Sequence, residues 1–166
     1  MAKYKINVLY VDDEVHNLNS FVAKYRRSFN IFIASSGAEG IEILKTEEIH
    51  VILSDERMPD MNGVEFLSDV RISYPKPVRV LLTAYSDLQV MKLAINDAKI
   101  FGWLDKPFSD SAIKKMVNQG YELYSAREEG KEIISQLLKI NNEMISEITE
   151  QQLRAKLVIQ AYENLN

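Results

Sequence analysis

A doubly wound α/β fold, built on a five-stranded parallel sheet and followed by a long C-terminal helix, is predicted by three observations. Five short apolar runs alternate with stretches of helical periodicity. Four of these runs end in polar residues, namely Asp12 and Asp13, Asp55, Thr83 and Lys106. In an open parallel sheet such ends share one edge, which is where sites are built. After Ser109 the pattern changes to a proline-free, helix-favouring stretch that reaches Asn166.

Ile6 to Val11 is apolar except at Asn7 and stops at Asp12-Asp13-Glu14, as a buried strand ending in an acidic cluster would. Val15, Leu18, Phe21, Val22 and Tyr25 recur at helical spacing, with Arg26 and Arg27 where cations suit the helix dipole. Ile31 to Ala34 is a second strand. Ser36 caps a second helix that carries Ala38, Ile41 and Leu44 on one face. Val51 to Ser54 is the third strand; Asp55 ends it, and Met58-Pro59 and Asn62-Gly63 turn the chain into a helix with Val64, Leu67 and Val70. Pro75-Lys76-Pro77 stops that helix, because proline lacks the amide donor and clashes with the preceding turn. Val78 to Leu82 is the fourth strand and ends in Thr83. Ser86 or Asp87 caps a helix with Leu88, Met91 and Ile95 on one face. Lys99 to Leu104 is the fifth strand; it contains the only tryptophan, Trp103, and ends at Asp105-Lys106-Pro107. Ser109 caps a last sheet-packing helix that extends to about Tyr124.

Bulk properties narrow the function. A chain of 166 residues holds one domain with a real core plus an accessory element. Its 46% hydrophobic and 27% charged residues fit an ordinary soluble protein, and a net charge of -4 argues against nucleic-acid binding. There are no cysteines, which excludes disulfides, thiolate catalysis and cysteine metal sites. The two histidines, His16 and His50, do not make a metal cluster. His16 reads as a surface or half-buried helix residue, and His50 precedes a strand without obvious partners. No run approaches the roughly 18 apolar residues of a membrane span, so a cytoplasmic location is expected.

Asp12, Asp13 and Asp55 are expected to lie within several ångströms of one another. At an effective dielectric of 20, two like charges about 5 Å apart cost about 3 kcal/mol. Either their pKa values rise or a cation neutralises them. A hard divalent ion with oxygen ligands, Mg2+ completed by water, suits this set and prepares a site for phosphoryl transfer. Lys106 adds a second positive charge and Thr83 a hydroxyl, so a carboxylate nucleophile, a metal, an ammonium and a hydroxyl compose a phosphoryl-acceptor site. Taken singly, each residue reads more blandly, as a helix cap, a turn residue or a solvated charge. Their joint placement at strand ends favours the site.

As a set, Asp12-Asp13, Asp-x-x-Met-Pro-x-x-x-Gly from Asp55 to Gly63, Thr83-Ala84 and Lys106-Pro107 resemble the receiver domain of bacterial two-component response regulators. The resemblance covers roughly residues 5–124 and implies the flavodoxin-like topology. It implies Asp55 as phosphoacceptor, served by a histidine kinase or phosphotransfer protein. It further implies Asp13, Asp55 and the backbone carbonyl of Arg57 as direct metal ligands, with Asp12 acting through water. Thr83 would hold a phosphoryl oxygen and Lys106 would pair with the phosphate. The bond before Pro107 is expected to be cis. Thr83 and the aromatic three residues before the lysine, here Trp103, would form the switch, although a core tryptophan is as good a reading of Trp103. Arg57 and Tyr85 occupy the positions that tune hydrolysis, and their bulk predicts slowed attack by water.

From this follows a division into a receiver domain, 1–124, with its last helix at 109–124, and a signalling helix, 125–166. Ile134, Asn141, Ile148, Ala155 and Tyr162 recur in sevens, with Leu137, Met144, Gln151, Val158 and Leu165 between them. Ile133, Leu138, Ile140 and Ile145 widen this coiled-coil seam. Such a face is too long for a domain about 30 Å across to cover, so a parallel homodimer through 125–166 is expected, in preference to a helix lying on its own domain. The helix is expected to continue past Asn166 into an output module. No helix-turn-helix, basic region or second catalytic motif follows Tyr124, so neither nucleic acid nor a membrane is expected as a partner of this chain. Two other functions compete. One is a phosphatase of the haloacid dehalogenase type, whose Asp-x-Asp motif is met only imperfectly by Asp12-Asp13-Glu14-Val15. The other is an inert receiver serving as a coiled-coil adaptor.

Overall fold

The computed structural model describes residues 5–84 and 88–163, without the side chains of 88 and 161–163. Five strands and five helices alternate: β1 (Asn7–Val11), α1 (Val15–Tyr25), β2 (Asn30–Ala34), α2 (Gly37–Thr46), β3 (Val51–Asp55), α3 (Gly63–Ser73), β4 (Val78–Thr83), α4 (Leu88–Asn96), β5 (Gly102–Asp105) and α5 (Asp110–Glu163). The strands form one parallel sheet in the order β2-β1-β3-β4-β5. The chain divides into two compact units, Met1–Ser125 and Ala126–Asn166.

In the first unit β3 and β4 are buried along their whole length, as parallel strands covered on both faces must be. The pleat sorts their side chains. Leu9, Val11, Ile52 and Leu81 join Phe66, Leu67 and Met91 in one core, against α2, α3 and α4. Val8, Tyr10, Val51, Leu53, Val80 and Leu82 join Phe21, Ile113 and Val117 in the other, against α1 and α5. Three helix N-termini are capped locally. Ser36 accepts from the Glu39 amide, Ser109 from Ala112, and Asn62 and Glu65 form a reciprocal capping box.

The N-terminal edge of the sheet is tied by Arg79. Its buried guanidinium donates to the carbonyls of Pro77 (2.9 Å) and Ala98 (2.9 Å), and at longer range to those of Pro75 and Lys99. Beside it His50 is 2% exposed, contrary to the expectation that it lacks partners. Its Nδ1 accepts from the Asn7 amide (2.8 Å), and its ring meets Tyr121 and Tyr124 edge-on. Burial pushes its pKa down, against a weaker opposing pull from Glu48. His16 is exposed.

Several boundaries and faces differ from the sequence reading. The fifth strand begins at Gly102, not Lys99, because Lys99 adopts a left-handed φ of 47° and turns the chain first. Val15 is exposed, since the buried stripe of α1 is Leu18, Phe21 and Tyr25. Ala38 is exposed too, the close face of α2 being Gly37, Gly40 and Leu44. In α4 Met91 is buried with Ala94, whereas Ile95 is 47% exposed, one step out of phase. The expected caps Ser86 and Asp87, and Leu165 of the heptad seam, lie outside the described residues, as do the side chains of Leu88 and Tyr162.

In the second unit residues 126–163 are helical throughout, about 57 Å at 1.5 Å per residue. Its apolar side chains are exposed, from 52% at Ile140 and Ile148 to 69% at Val158. Leu153 and Leu157 add apolar surface outside the heptad seam. Among the described residues no helix is long and apolar enough to cross a membrane.

Candidate functional site

The polar strand ends gather at the C-terminal edge of the sheet. Asp12 follows β1 on the same pleat side as Tyr10, whose hydroxyl donates to Asp12 Oδ2 at 2.6 Å. Asn17 of α1 donates to both carboxylate oxygens, and the Glu14 amide donates to Oδ1 at 3.0 Å. Lys106 Nζ stands 3.3 Å from Oδ2. Burial alone would raise the Asp12 pKa, but the bonds from Tyr10, Asn17 and Glu14 and the charge of Lys106 outweigh it and hold the carboxyl below its usual range. Tyr10 responds in the opposite sense: burial, then its bond to Asp12, drives the phenol pKa far up, so it remains a donor.

Asp55 closes β3. The Arg57 amide donates to its Oδ2 at 3.0 Å, and Lys106 Nζ lies 2.7 Å from its Oδ1. Lys106 is delivered by the turn after β5, whose Lys106-Pro107 bond is cis, and its own amide bonds the Thr83 carbonyl (2.7 Å). Burial disfavours its ammonium, yet contact with Asp55 and Asp12 prevails and the pKa lies above its ordinary value. The turn after Asp55 returns through Gly63, whose amide bonds the Glu56 carbonyl at 2.9 Å. A Cβ at Gly63 would sit 2.0 Å from the Asp55 carbonyl oxygen. Glycine is required there for space, since its φ is not positive.

Asp13 is half-exposed and accepts no hydrogen bond among the described residues. It lines an open cleft of about 500 Å³ with Glu56, Arg57, Met58, Pro59, Asn62, Val64, Val90 and Leu93. Among the described residues no three acidic or imidazole side chains converge as a complete metal cage. The Asp12 oxygens are engaged by protein donors. The set fits a hard cation held by one or two carboxylates and mostly hydrated, the habit of Mg2+, better than a fully protein-ligated ion.

Thus Lys106 contacts both Asp12 and Asp55, with Asp13 at the adjoining cleft. Thr83 is fully buried at the end of β4 and donates to the Glu56 carboxylate. Trp103 is 41% exposed, so the core reading of this residue is wrong: β5 is an edge strand and alternates between inner and outer faces. Arg57 contributes its amide, and its residue is exposed; Tyr85 lies outside the described residues. Sequence reasoning missed Glu56, Tyr10 and Asn17. Glu56 pairs with Thr83 one residue beyond the Asp55↔Leu82 register, a pairing that appears only in the folded sheet. The i, i+2 spacing of Tyr10 and Asp12 on one strand would have exposed Tyr10.

Comparisons with known proteins agree with this geometry. The model of the response regulator receiver domain matches residues 8–118. The hydrogenase transcriptional regulatory protein HoxA of Bradyrhizobium diazoefficiens is 31% identical over 122 residues, which are 74% of this chain and 25% of that protein. The chain spans about a quarter of the length of the first curated relatives it matches. Among solved structures, a protein described as an adenylate cyclase from Rhodopirellula baltica aligns with a TM-score of 0.75 at 30% identity, covering 80% of this chain and 98% of that one. An uncharacterized protein from Neptuniibacter caesariensis aligns with a TM-score of 0.70 at 39% identity, covering 76% and 96%. Receiver domains are signalling modules that bind Mg2+ at an acidic pocket and interact with histidine kinases or phosphotransfer proteins. With its flavodoxin-like sheet and this match over most of its length, the chain belongs to the family of response regulator receiver domains.

Proposed function

We propose that Asp55 accepts a phosphoryl group from a histidine kinase or phosphotransfer protein, and that residues 125–166 carry the resulting change as a homodimeric coiled coil. The observation that carries the reading is the Lys106 ammonium, 2.7 Å from Asp55 and 3.3 Å from Asp12, at the edge of the sheet. Asp55 Oδ attacks phosphorus, the P–N bond to the donor histidine breaks, and its electron pair stays on the imidazole. Lys106 offsets the added negative charge, and the Thr83 hydroxyl donates to a phosphoryl oxygen. Asp13, Asp55 and the Arg57 carbonyl would hold Mg2+, with Asp12 acting through water; the ion supplies charge neutralisation for the phosphoryl oxygens. Trp103 and Thr83 would form the switch pair, and Arg57 with Tyr85 would slow hydrolysis by crowding the attacking water. The receiver domain is assigned to 1–124 and the signalling helix to 125–166, with output residing in a further module and location in the cytoplasm.

Incubation with acetyl phosphate and Mg2+, followed by intact mass, tests the chemistry. One phosphoryl mass on the chain and none on Asp55→Asn is the expected result; an undiminished gain in Asp55→Asn refutes it. Sedimentation tests the dimer: the exposed apolar face of 126–160 should give a dimer that Leu137→Glu with Ile148→Glu dissociates.

A further inference from the structure

Glu56 is not among the residues assigned to the phosphoryl site, yet it stands between them. It follows Asp55 directly, and its amide continues the β3–β4 ladder to the Leu82 carbonyl at 2.9 Å. The register that pairs Asp55 with Leu82 therefore places Glu56 beside Thr83 on the α3 and α4 side of the sheet. Glu56 is 8% exposed and Thr83 fully buried, and the Thr83 hydroxyl donates to Glu56 Oε2.

A hydroxyl carries one proton. A carboxylate and a phosphoryl oxygen are both acceptors, so Thr83 cannot donate to Glu56 and to a phosphoryl group on Asp55 at the same time. We propose that Glu56 is a positioning residue that latches Thr83 in the unphosphorylated receiver, so that Thr83 engages the phosphoryl group only by giving up its bond to Glu56. The inference rests on the reading of Asp55 and Thr83 given above. The open cleft that Glu56 lines with Asp13, Met58 and Val90 gives the released carboxylate access to water. The chain thereby carries a bias toward its resting state that a receiver with an apolar residue at this position lacks.

Beryllium trifluoride, a tetrahedral phosphoryl mimic, reports the latch at equilibrium. Its bound fraction on the full chain in excess Mg2+ is read by fluorine NMR for the wild type, Glu56→Met, Glu56→Gln and Thr83→Val, and for both Glu56 variants combined with Thr83→Val. Releasing a hydrogen bond to a charged group should tighten binding about tenfold or more in Glu56→Met. The near-isosteric Glu56→Gln, which keeps an acceptor but no charge, should tighten it less. The decisive comparison is the Thr83→Val background, where both gains should fall below about twofold, because the latch has nothing left to hold. Equal gains with and without Thr83 would show simple charge repulsion and overturn the proposal, as would no gain in either Glu56 variant. If the wild type binds no beryllium trifluoride and acetyl phosphate leaves Asp55 unmodified, the phosphoacceptor reading fails and takes the latch with it. Modification of Asp55 with unaltered binding in the Glu56 variants overturns the latch alone.

Discussion

Replacing Gly63 by alanine tests how tightly the turn behind Asp55 is built. The added Cβ would lie 2.0 Å from the Asp55 carbonyl oxygen, 2.9 Å from its carbonyl carbon and 3.1 Å from Glu56 Cα. A carbon and a carbonyl oxygen rest at about 3.3 Å or more, so backbone must separate by about 1.3 Å. All three contacts are with backbone, and no side chain can rotate away to relieve them. Overpacking of this kind costs about 1–3 kcal/mol, and the loss of the Gly63 amide bond to Glu56 adds about 1 kcal/mol. A destabilisation of about 2–4 kcal/mol is expected, read as a fall in the urea midpoint of the first unit followed by near-ultraviolet circular dichroism. Labelling of Asp55 by acetyl phosphate should fall with it, because the displaced carbonyl belongs to the proposed phosphoacceptor. Gly130→Ala is the control: nothing lies within 4 Å of its added Cβ, and in a helix this exchange stabilises by about 0.8 kcal/mol. A change in Gly63→Ala below about 0.5 kcal/mol would refute the packing argument.

Tyr10→Phe removes a 2.6 Å bond to a buried carboxylate and should cost about 1.5–3 kcal/mol at neutral pH. Because Asp12 is held below its usual pKa, the stability it contributes is present above the unfolded carboxyl value and vanishes as pH falls through the folded one. The gap between Tyr10→Phe and wild type should therefore shrink at acid pH in urea titrations, and a constant gap would count against the bond. Lys106→Met leaves Asp12 and Asp55 without their ammonium and should destabilise by up to about 3 kcal/mol. Millimolar Mg2+ should restore most of that loss, and no recovery would argue against the proposed cation site at Asp13 and Asp55. For His50, the depressed pKa means a contribution that is full above about pH 6.5 and declines as pH drops through the buried value. Unfolding free energies measured between neutral and mildly acid pH should fall more steeply in the wild type than in His50→Phe; parallel curves would refute this.

Much of the fold was legible because the sheet is doubly covered. Five largely apolar runs report the strands, and the polar residues that end four of them, Asp12, Asp55, Thr83 and Lys106, report the edge that carries the candidate site. Capping was equally local, as Ser36 and Ser109 show. What escaped depends on phase and register. Val15 and Ile95 are apolar residues at near-helical spacing, but a shift of one position decides whether such a residue faces the sheet or water. The start of β5 escaped because a left-handed φ at Lys99 leaves no mark in composition. Glu56 and His50 escaped because their partners, Thr83 and Asn7, come from other strands, and pairing of that kind is known only once the order β2-β1-β3-β4-β5 is fixed.

Arg79 draws a final consequence from that order. Its guanidinium gathers the carbonyls of Pro75, Pro77, Ala98 and Lys99, and so joins the connections that enter β4 and β5 at the edge remote from Asp55. Exposed loops that would otherwise fray are thereby tied to a residue within the sheet. Opening should be graded along each strand, with amide hydrogens near Arg79 exchanging only in global unfolding and those near Thr83 and Lys106 in smaller, cheaper fluctuations. The molecule would then absorb a new charge at one end while the opposite end acts as the anvil against which that end moves.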